Sequence, residues 1–187
     1  MSFILLVPLL PVGPSFLPPL IEPISETFSR TVKVLPPPPL DVSFAFNFSR
    51  NQYNSTSILS ALIEKLPVWM PSEGGVESKI LGVTDGDLFV PVLTYVFGEA
   101  QLAGRAATVS SHRLHEEFYG LRPDENIFKT RLIKETIHEL GHTFGLIHCS
   151  NYLCVMHSST GVEEIDVKTE KLCADCKEKL HSMNDVG

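Results

Sequence analysis

Two hydrophobic patterns alternate along the chain as far as residue 144. Short runs of branched and aliphatic residues are typical of β-strands with buried faces, and they occupy residues 3–10, 31–35, 79–84, 93–97 and 106–110. Apolar residues at helical spacing are typical of amphipathic α-helices, and they occupy residues 20–28, 55–66 and 123–144. Strands that alternate with helices and lead into one long helix predict a layered α/β domain.

Capping and breaking residues mark the ends of the predicted helices. Asn54 and Ser55 are favourable N-caps for the second helix, and Pro67 is expected to end it. Residues 123–125 are Pro, Asp and Glu, which suit the first turn of the long helix. Gly145 is well placed to end that helix in a left-handed conformation.

The N-terminal apolar run invites a membrane or secretory interpretation. It covers only residues 3–12 and contains Pro8 and Pro11, whereas a spanning helix needs about 20 apolar residues. No basic residue precedes Arg30, whereas a secretory leader begins with positive charge. The run is therefore predicted to be a buried first strand of a cytoplasmic protein.

Composition and charge narrow the possible partners. The chain has 187 residues, 43% hydrophobic and 20% charged, so it suits one folded domain with a small satellite. Its 15 basic and 22 acidic residues give a net charge of −7, without a basic cluster to bind nucleic acid or an anionic membrane. After Gly145 the composition becomes irregular and cysteine-bearing. We therefore expect an N-terminal α/β part at residues 1–145 and a C-terminal subdomain at residues 146–187.

Three histidines and a glutamate are grouped around the end of the long helix. His138 and His142 are four positions apart, so on an α-helix they lie about 40° apart around the axis and one turn apart along it. A straight helix would carry His148 too far away, but a chain reversal at Gly145 can return it to the other two. Three neutral imidazoles supply the ligands of a catalytic zinc ion and leave one position for water. Glu139 is then placed to take a proton from that water.

The four cysteines are confined to the C-terminal part and form two pairs. Cys149 and Cys154 are separated by four residues, and Cys173 and Cys176 by two. Two such pairs together make the tetrahedral site of a structural zinc ion, which would stabilise a subdomain too small for its own core. An iron–sulfur cluster and disulfides are the alternatives. The sequence thus predicts two zinc ions per chain, one catalytic and one structural.

The spacing of these residues resembles one family of zinc peptidases. Residues 138–148 are similar to the zinc-binding motif of the metzincin clan, and the residues that follow are similar to the archaemetzincin family. That family has a cysteine directly after the third histidine, a second one four residues further on, a methionine two positions later and a distal cysteine pair. The corresponding residues are Cys149, Cys154, Met156, Cys173 and Cys176. Arg50, Gln52, Tyr53 and residues 96–100 are also similar to family segments.

The resemblance implies a fold and a role for Met156. The fold would be a mixed, mostly parallel twisted sheet with an antiparallel edge strand above a cleft and the active-site helix beneath it. Met156 would form the Met-turn, an apolar floor under the catalytic zinc ion. We place the edge strand at residues 93–97, where a substrate peptide could add as a further strand.

The other histidines have weaker patterns. His112 and His115 are three positions apart, so they can bind a further ion, but partly exposed surface histidines are the favoured interpretation. His157 follows Met156 and is close enough in sequence to approach the cleft. His181, near the end of the chain, is expected to face solvent.

These expectations combine into one function with two rivals. The chain is expected to be a zinc metallopeptidase that hydrolyses peptides or unfolded polypeptides, with Glu139 as the general base that later protonates the leaving amine. The same residues suit a zinc-retaining peptide-binding or regulatory protein, and a hydrolase of non-peptide amides. No cysteine precedes Cys149, so inhibition by a cysteine-bearing N-terminal segment is not expected.

Overall fold

The computed structural model describes residues 2–11, 16–36, 38–69 and 78–184 and shows an α/β fold. Its first elements are β1 (Phe3–Pro8), α1 (Pro18–Phe28), β2 (Thr31–Val34), β3 (Phe46–Asn47), β4 (Gln52–Asn54) and α2 (Ser55–Trp69). They are followed by β5 (Lys79–Thr84), β6 (Leu88–Phe89), β7 (Gly98–Ala100), β8 (Ala106–Ser110) and the long helix α3 (Glu125–Thr143). Two further helices, α4 (Val162–Val167) and α5 (Ala174–Asn184), lie in the C-terminal part.

A five-stranded sheet with the order β2-β1-β5-β8-β7 forms the centre of the fold. The strands β2, β1, β5 and β8 are parallel, and β7 pairs antiparallel with β8 at the edge. The predicted mixed, mostly parallel sheet with an antiparallel edge strand is therefore confirmed. A smaller sheet has the order β3-β4-β6.

Side chains on both faces of β1, β5 and β8 are almost all buried, which explains the continuous apolar runs of these strands, whereas β2 at the edge is mostly exposed. Along β1, Ile4 and Leu6 join a core with apolar residues of α1, α3 and the C-terminal helices. The alternate residues Leu5 and Val7 join a second core, with apolar residues of α2. The sheet is therefore covered by helices on both faces, with α3 on the same side as the C-terminal part.

The edge strand does not lie at the position predicted from the sequence. Residues 93–97 are not a strand; of these, Val96 forms an isolated bridge to Leu88, and the edge strand is β7 at Gly98–Ala100. The cause is a set of side-chain donors: Arg50 binds the carbonyl oxygens of Leu93 and Thr94, at 2.7 and 3.0 Å. These bonds occupy acceptor positions that a neighbouring strand would otherwise use.

Several helix ends also differ from the predictions. Pro67 does not end α2, which continues to Trp69. Helix α1 begins earlier than predicted, at Pro18. Pro18 and Pro19 are tolerated in the first turn because N–H groups there have no acceptor within the helix. Asp124 is not in the first turn of α3 but is its N-cap.

The N-terminal run is strand β1, as predicted, although it ends at Pro8. Val12, the last residue of that apolar run, lies outside the described residues. None of the helices above has the length and apolar character needed to cross a bilayer.

Candidate metal centres and active-site cleft

Helix α3 ends in a turn that reverses the chain toward its own last residues. Gly145 has a φ of 95°, a left-handed conformation that residues with a Cβ disfavour. Its N–H donates to the carbonyl oxygen of His142 at 2.9 Å, and the N–H of Leu146 donates to that of Gly141 at 3.0 Å. This pair of bonds is a Schellman motif, and it leads the chain back toward α3 before His148.

The reversal brings the three predicted histidines together. Ligand nitrogens of His138, His142 and His148 all lie within 4.8 Å of one another. Their ring centroids are separated by 4.7 to 5.3 Å. His138 is buried, His142 is half-buried and His148 is exposed, so the group lies where the end of α3 meets the surface.

The hydrogen bonds of the two helical histidines leave one ring nitrogen of each with a free lone pair. Nδ1 of His138 lies 2.9 Å from the carbonyl oxygen of Val155, and Nδ1 of His142 lies 2.7 Å from that of Leu146. Because a carbonyl oxygen only accepts, each Nδ1 carries the hydrogen and each Nε2 has a lone pair. The two Nε2 atoms are 3.1 Å apart, so neither can donate to the other. Two nitrogens on one tetrahedral zinc ion are separated by about 3.3 Å, so this pair fits a bound ion.

Burial keeps these imidazoles in the form that binds a metal. It lowers the pKa of His138 well below its ordinary value and also lowers the pKa of His142 and of His148. The positive charge of Lys168 acts in the same direction on all three. The histidines are therefore neutral near pH 7, and no proton has to be displaced when a cation binds.

Glu139 is buried between α3 and the edge strand. Only 7% of the residue is exposed, and its side chain packs against Gly98 of β7. Burial raises the pKa of Glu139 well above its ordinary value, and the nearby carboxylate of Glu135 raises it further. A carboxylate in these surroundings readily accepts a proton.

Met156 lies under the end of α3. It is fully buried, and its sulfur occupies the space that a Cβ at Gly141 would need. The preceding residue, Val155, supplies the carbonyl oxygen that binds His138. The segment around Met156 therefore packs against the end of α3 and accepts a hydrogen bond from His138.

The four cysteines come together as a second group. Their Sγ atoms all lie within 4.8 Å of one another, and those of Cys149 and Cys173 are 3.8 Å apart. Four sulfurs around one zinc ion, with bonds of about 2.3 Å, are separated by about 3.8 Å. All four are free cysteines, and burial raises the pKa of Cys154 and Cys176. The distances fit a single tetrahedral ion that would hold the sulfurs as thiolates.

Short backbone connections link the two groups. Cys149 directly follows His148, and its N–H donates to the carbonyl oxygen of Met156 at 2.9 Å. Nδ1 of His157 lies 2.8 Å from the carbonyl oxygen of Cys149. The two groups are therefore adjacent in the chain and are joined by backbone hydrogen bonds.

The other histidines have local partners. His115 stacks on Phe128 with 4.0 Å between ring centroids, and Nδ1 of His112 lies 3.1 Å from the carbonyl oxygen of Asp85. Both are half-buried, and His181 is exposed on α5, as predicted. Across residues 2–11, 16–36, 38–69 and 78–184, only the histidine and cysteine groups bring three or more ligand atoms of His, Cys, Asp or Glu together.

A cleft of about 320 Å³ opens beside the histidines. One side, which we call the upper rim, is residues 93–98, and the other, the lower rim, is residues 158–160. His138 and His148 line the same cleft. Arg50 and Gln52 hold the upper rim, because both donate to the carbonyl oxygen of Thr94.

A buried ion pair beside the cleft was not predicted from the sequence. Nζ of Lys168 lies 2.8 Å from a carboxylate oxygen of Glu135, and the side chains are 0% and 4% exposed. The helical spacing of Glu135, three positions before His138, is a signal that it faces the site. Lys168 is 30 positions after His138, so local spacing contains no signal for it.

The site and the fold together define a class of protein. A buried helix with two histidines one turn apart, a glutamate between them, a third histidine after a glycine turn and a methionine beneath them is the arrangement of metallopeptidases of the metzincin class. The sequence model described as Peptidase family M54 matches residues 31–182. The chain belongs to this peptidase family.

Known proteins agree with this assignment. The archaemetzincin of Methanocaldococcus jannaschii is 45% identical over 144 residues, which are 76% of this chain and 74% of that protein. A solved structure of a zinc-dependent peptidase from Methanocorpusculum labreanum has a TM-score of 0.85 and 32% identity, with 95% of this chain and 99% of that chain covered. Archaemetzincin from Archaeoglobus fulgidus, solved in complex with malonate, has a TM-score of 0.78 and 35% identity, with the same coverage.

Proposed function

We propose that the chain is a zinc-dependent peptidase in which His138, His142 and His148 hold the catalytic ion. The observation that carries this proposal is the pair of Nε2 lone pairs that face each other at 3.1 Å. The Methanocorpusculum labreanum relative is described as a zinc-dependent peptidase, which supports the choice of metal. A bound zinc ion would supply Lewis-acid chemistry, lowering the pKa of water and polarising the scissile carbonyl group.

Glu139 is the proposed general base. It accepts a proton from the attacking water and then donates this proton to the leaving amine. Its position supports both steps, because it directly follows the proposed ligand His138 on α3. The contact with Gly98 keeps the side chain beside the upper rim, where a substrate would lie.

The proposed substrates are peptides and unfolded polypeptides. The antiparallel edge strand β7 supports this, because its outer edge can pair with an extended peptide through main-chain hydrogen bonds. The cleft of about 320 Å³ is at the small end of ligand pockets, which favours a short stretch of extended chain over a folded surface. Metal-binding thiols are typical of reducing compartments, so we place the enzyme in the cytoplasm.

The C-terminal residues 146–187 would contribute three elements to the enzyme: the third histidine, the Met-turn at Met156 and a second, structural zinc ion. Cys149, Cys154, Cys173 and Cys176 are its proposed ligands, supported by the convergence of their sulfurs. Residues 1–145 would supply the sheet and the active-site helix. Each chain would then contain two zinc ions.

A peptide-library digest tests this function. Zinc-loaded protein is expected to cleave library peptides, and Glu139→Gln is expected to reduce the rate by about 10²- to 10⁴-fold while metal analysis finds the same zinc content. His142→Ala is the matched control, because it is expected to remove one zinc ion per chain. Peptide binding without cleavage by the unmodified chain would favour the regulatory alternative. Undiminished cleavage by Glu139→Gln would exclude Glu139 as the base.

A further inference from the structure

The two rims of the cleft are joined by a hydrogen bond. The hydroxyl group of Tyr95 donates to the carbonyl oxygen of Thr160 at 2.7 Å. Tyr95 belongs to the upper rim and Thr160 to the lower rim, so the bond crosses the cleft. We call this bond the crossbar. A peptide that extends between the rims past both residues would have to displace this bond.

The upper end of the crossbar is held by its surroundings. The guanidinium group of Arg113 lies 4.0 Å from the ring centroid of Tyr95, and Phe97 meets the same ring edge-on at 5.5 Å. Arg113 is in turn fixed by an ion pair with Asp87 at 2.7 Å. The neighbouring carbonyl group of Thr94 accepts from Gln52 at 2.9 Å. The Tyr95 hydroxyl group is thus directed across the cleft by contacts that do not involve the lower rim.

The lower end of the crossbar is held independently. The hydroxyl group of Thr160 donates to the carboxylate of Glu164 at 3.0 Å, and the N–H of Gly161 donates to the same carboxylate at 3.3 Å. Glu164 lies in the first turn of α4, so Thr160 is fixed at the start of a helix. Because both ends are ordered separately, forming the crossbar requires little further loss of conformational freedom.

The crossbar lies away from the general base along the upper rim. Gly98, at one end of this rim, contacts Glu139, whereas Tyr95 lies three positions earlier in the sequence. A peptide that ends between Gly98 and Tyr95 would leave the crossbar intact. A longer peptide has to break the Tyr95 hydrogen bond in order to bind.

We propose that Tyr95 is a specificity-determining residue that limits the length of the peptide the cleft accepts. This inference rests on the proposed function, because it treats the cleft as a peptide site. Short peptides bind with the crossbar intact. Long peptides bind more weakly, because part of their binding free energy is spent on opening it.

A binding experiment tests this proposal. Labelled peptides of increasing length, from dipeptides upward, are titrated by fluorescence anisotropy into zinc-loaded Glu139→Gln, with and without Tyr95→Phe. Phenylalanine keeps the aromatic ring beside Arg113 and Phe97 and removes only the hydroxyl group. Long peptides are expected to bind about two- to tenfold more tightly to Tyr95→Phe, and the shortest peptides equally well.

Tyr152→Phe is the matched control. Tyr152 is an exposed tyrosine that does not line the cleft, so removal of its hydroxyl group should not alter the length dependence. An equal change at every length, no change, or no binding of any peptide would overturn the proposal. Length-dependent binding without cleavage by the chain that retains Glu139 would contradict the peptidase function and leave the role of Tyr95 intact.

Discussion

The position of His148 depends on a single glycine. His138 and His142 share a helix and are close wherever that helix forms, whereas His148 is close only because the chain turns back at Gly145. The turn uses a φ of 95°, which an L-residue with a Cβ adopts at a cost of about 1–2 kcal/mol. The third proposed ligand is therefore the most sensitive of the three to a local backbone change.

Replacement of Gly145 with alanine tests this dependence. Gly145→Ala is expected to lower the free energy of unfolding by about 1–2 kcal/mol and to weaken zinc binding, because the relaxed turn moves His148. Urea unfolding and a competitive zinc titration measure the two effects. Gly120→Ala is the control, because Gly120 has a φ of 75° and open space around its Cβ position. This variant should lose similar stability and keep its zinc affinity. Equal zinc affinities for the two variants would contradict this role of Gly145.

At the scale of elements, the Glu135–Lys168 ion pair joins α3 to the end of α4. Glu135 lies on α3 and Lys168 directly follows α4, and both side chains are buried. Nζ of Lys168 also donates to the carbonyl oxygen of His157 at 3.1 Å, near the Met156 segment. The pair therefore connects the active-site helix to the two segments that lie against it.

Removing one member of this pair should destabilise the protein more than removing both. Lys168→Met is expected to lower the free energy of unfolding by about 3–5 kcal/mol, because the Glu135 carboxylate stays buried without a counter-ion. The double variant with Glu135→Leu is expected to recover most of this loss. Lys177→Met, at an exposed position, is the control and should change stability by less than about 0.5 kcal/mol. Urea unfolding of the four proteins checks the prediction, and additive losses in the double variant would contradict it.

At the scale of the whole molecule, the two proposed metal centres are expected to have different roles. The histidine group lies beside a cleft, whereas the cysteine group links residues 149–154 to the start of α5. Apolar residues of this C-terminal part share a core with α1 and α3. Loss of the metal from the cysteine group should therefore loosen packing well beyond that group.

Metal analysis combined with thermal unfolding distinguishes the catalytic role of the histidine group from the structural role of the cysteine group. Cys173→Ser and His142→Ala are each expected to reduce the zinc content from two ions per chain to one. Cys173→Ser should also lower Tm by about 10 °C, because binding of a structural metal is coupled to folding. His142→Ala should change Tm only slightly and abolish hydrolysis. Equal Tm values for the two variants would show that the cysteine group has no special structural task.

Most of the proposed metal ligands could be predicted because their spacing is a local property. The four-residue interval between His138 and His142 places both on one face of any α-helix, and the left-handed glycine at position 145 predicts the reversal. The apolar runs predicted β1, β5 and β8 for a similar reason, because a strand buried on both faces has few polar positions. These features depend on the geometry of a few consecutive residues.

The edge of the cleft, in contrast, was decided by contacts between distant parts of the chain. The edge strand is at Gly98–Ala100 rather than at residues 93–97, because Arg50, more than 40 positions away, binds the carbonyl oxygens of Leu93 and Thr94. Lys168 and Tyr95 likewise acquire their partners, Glu135 and Thr160, across more than 30 and 60 positions. The sequence by itself determined which side chains can bind a metal and which helix carries them. Only the packing of sheet and helices decided what surrounds them, since such contacts depend on the whole fold and not on local spacing.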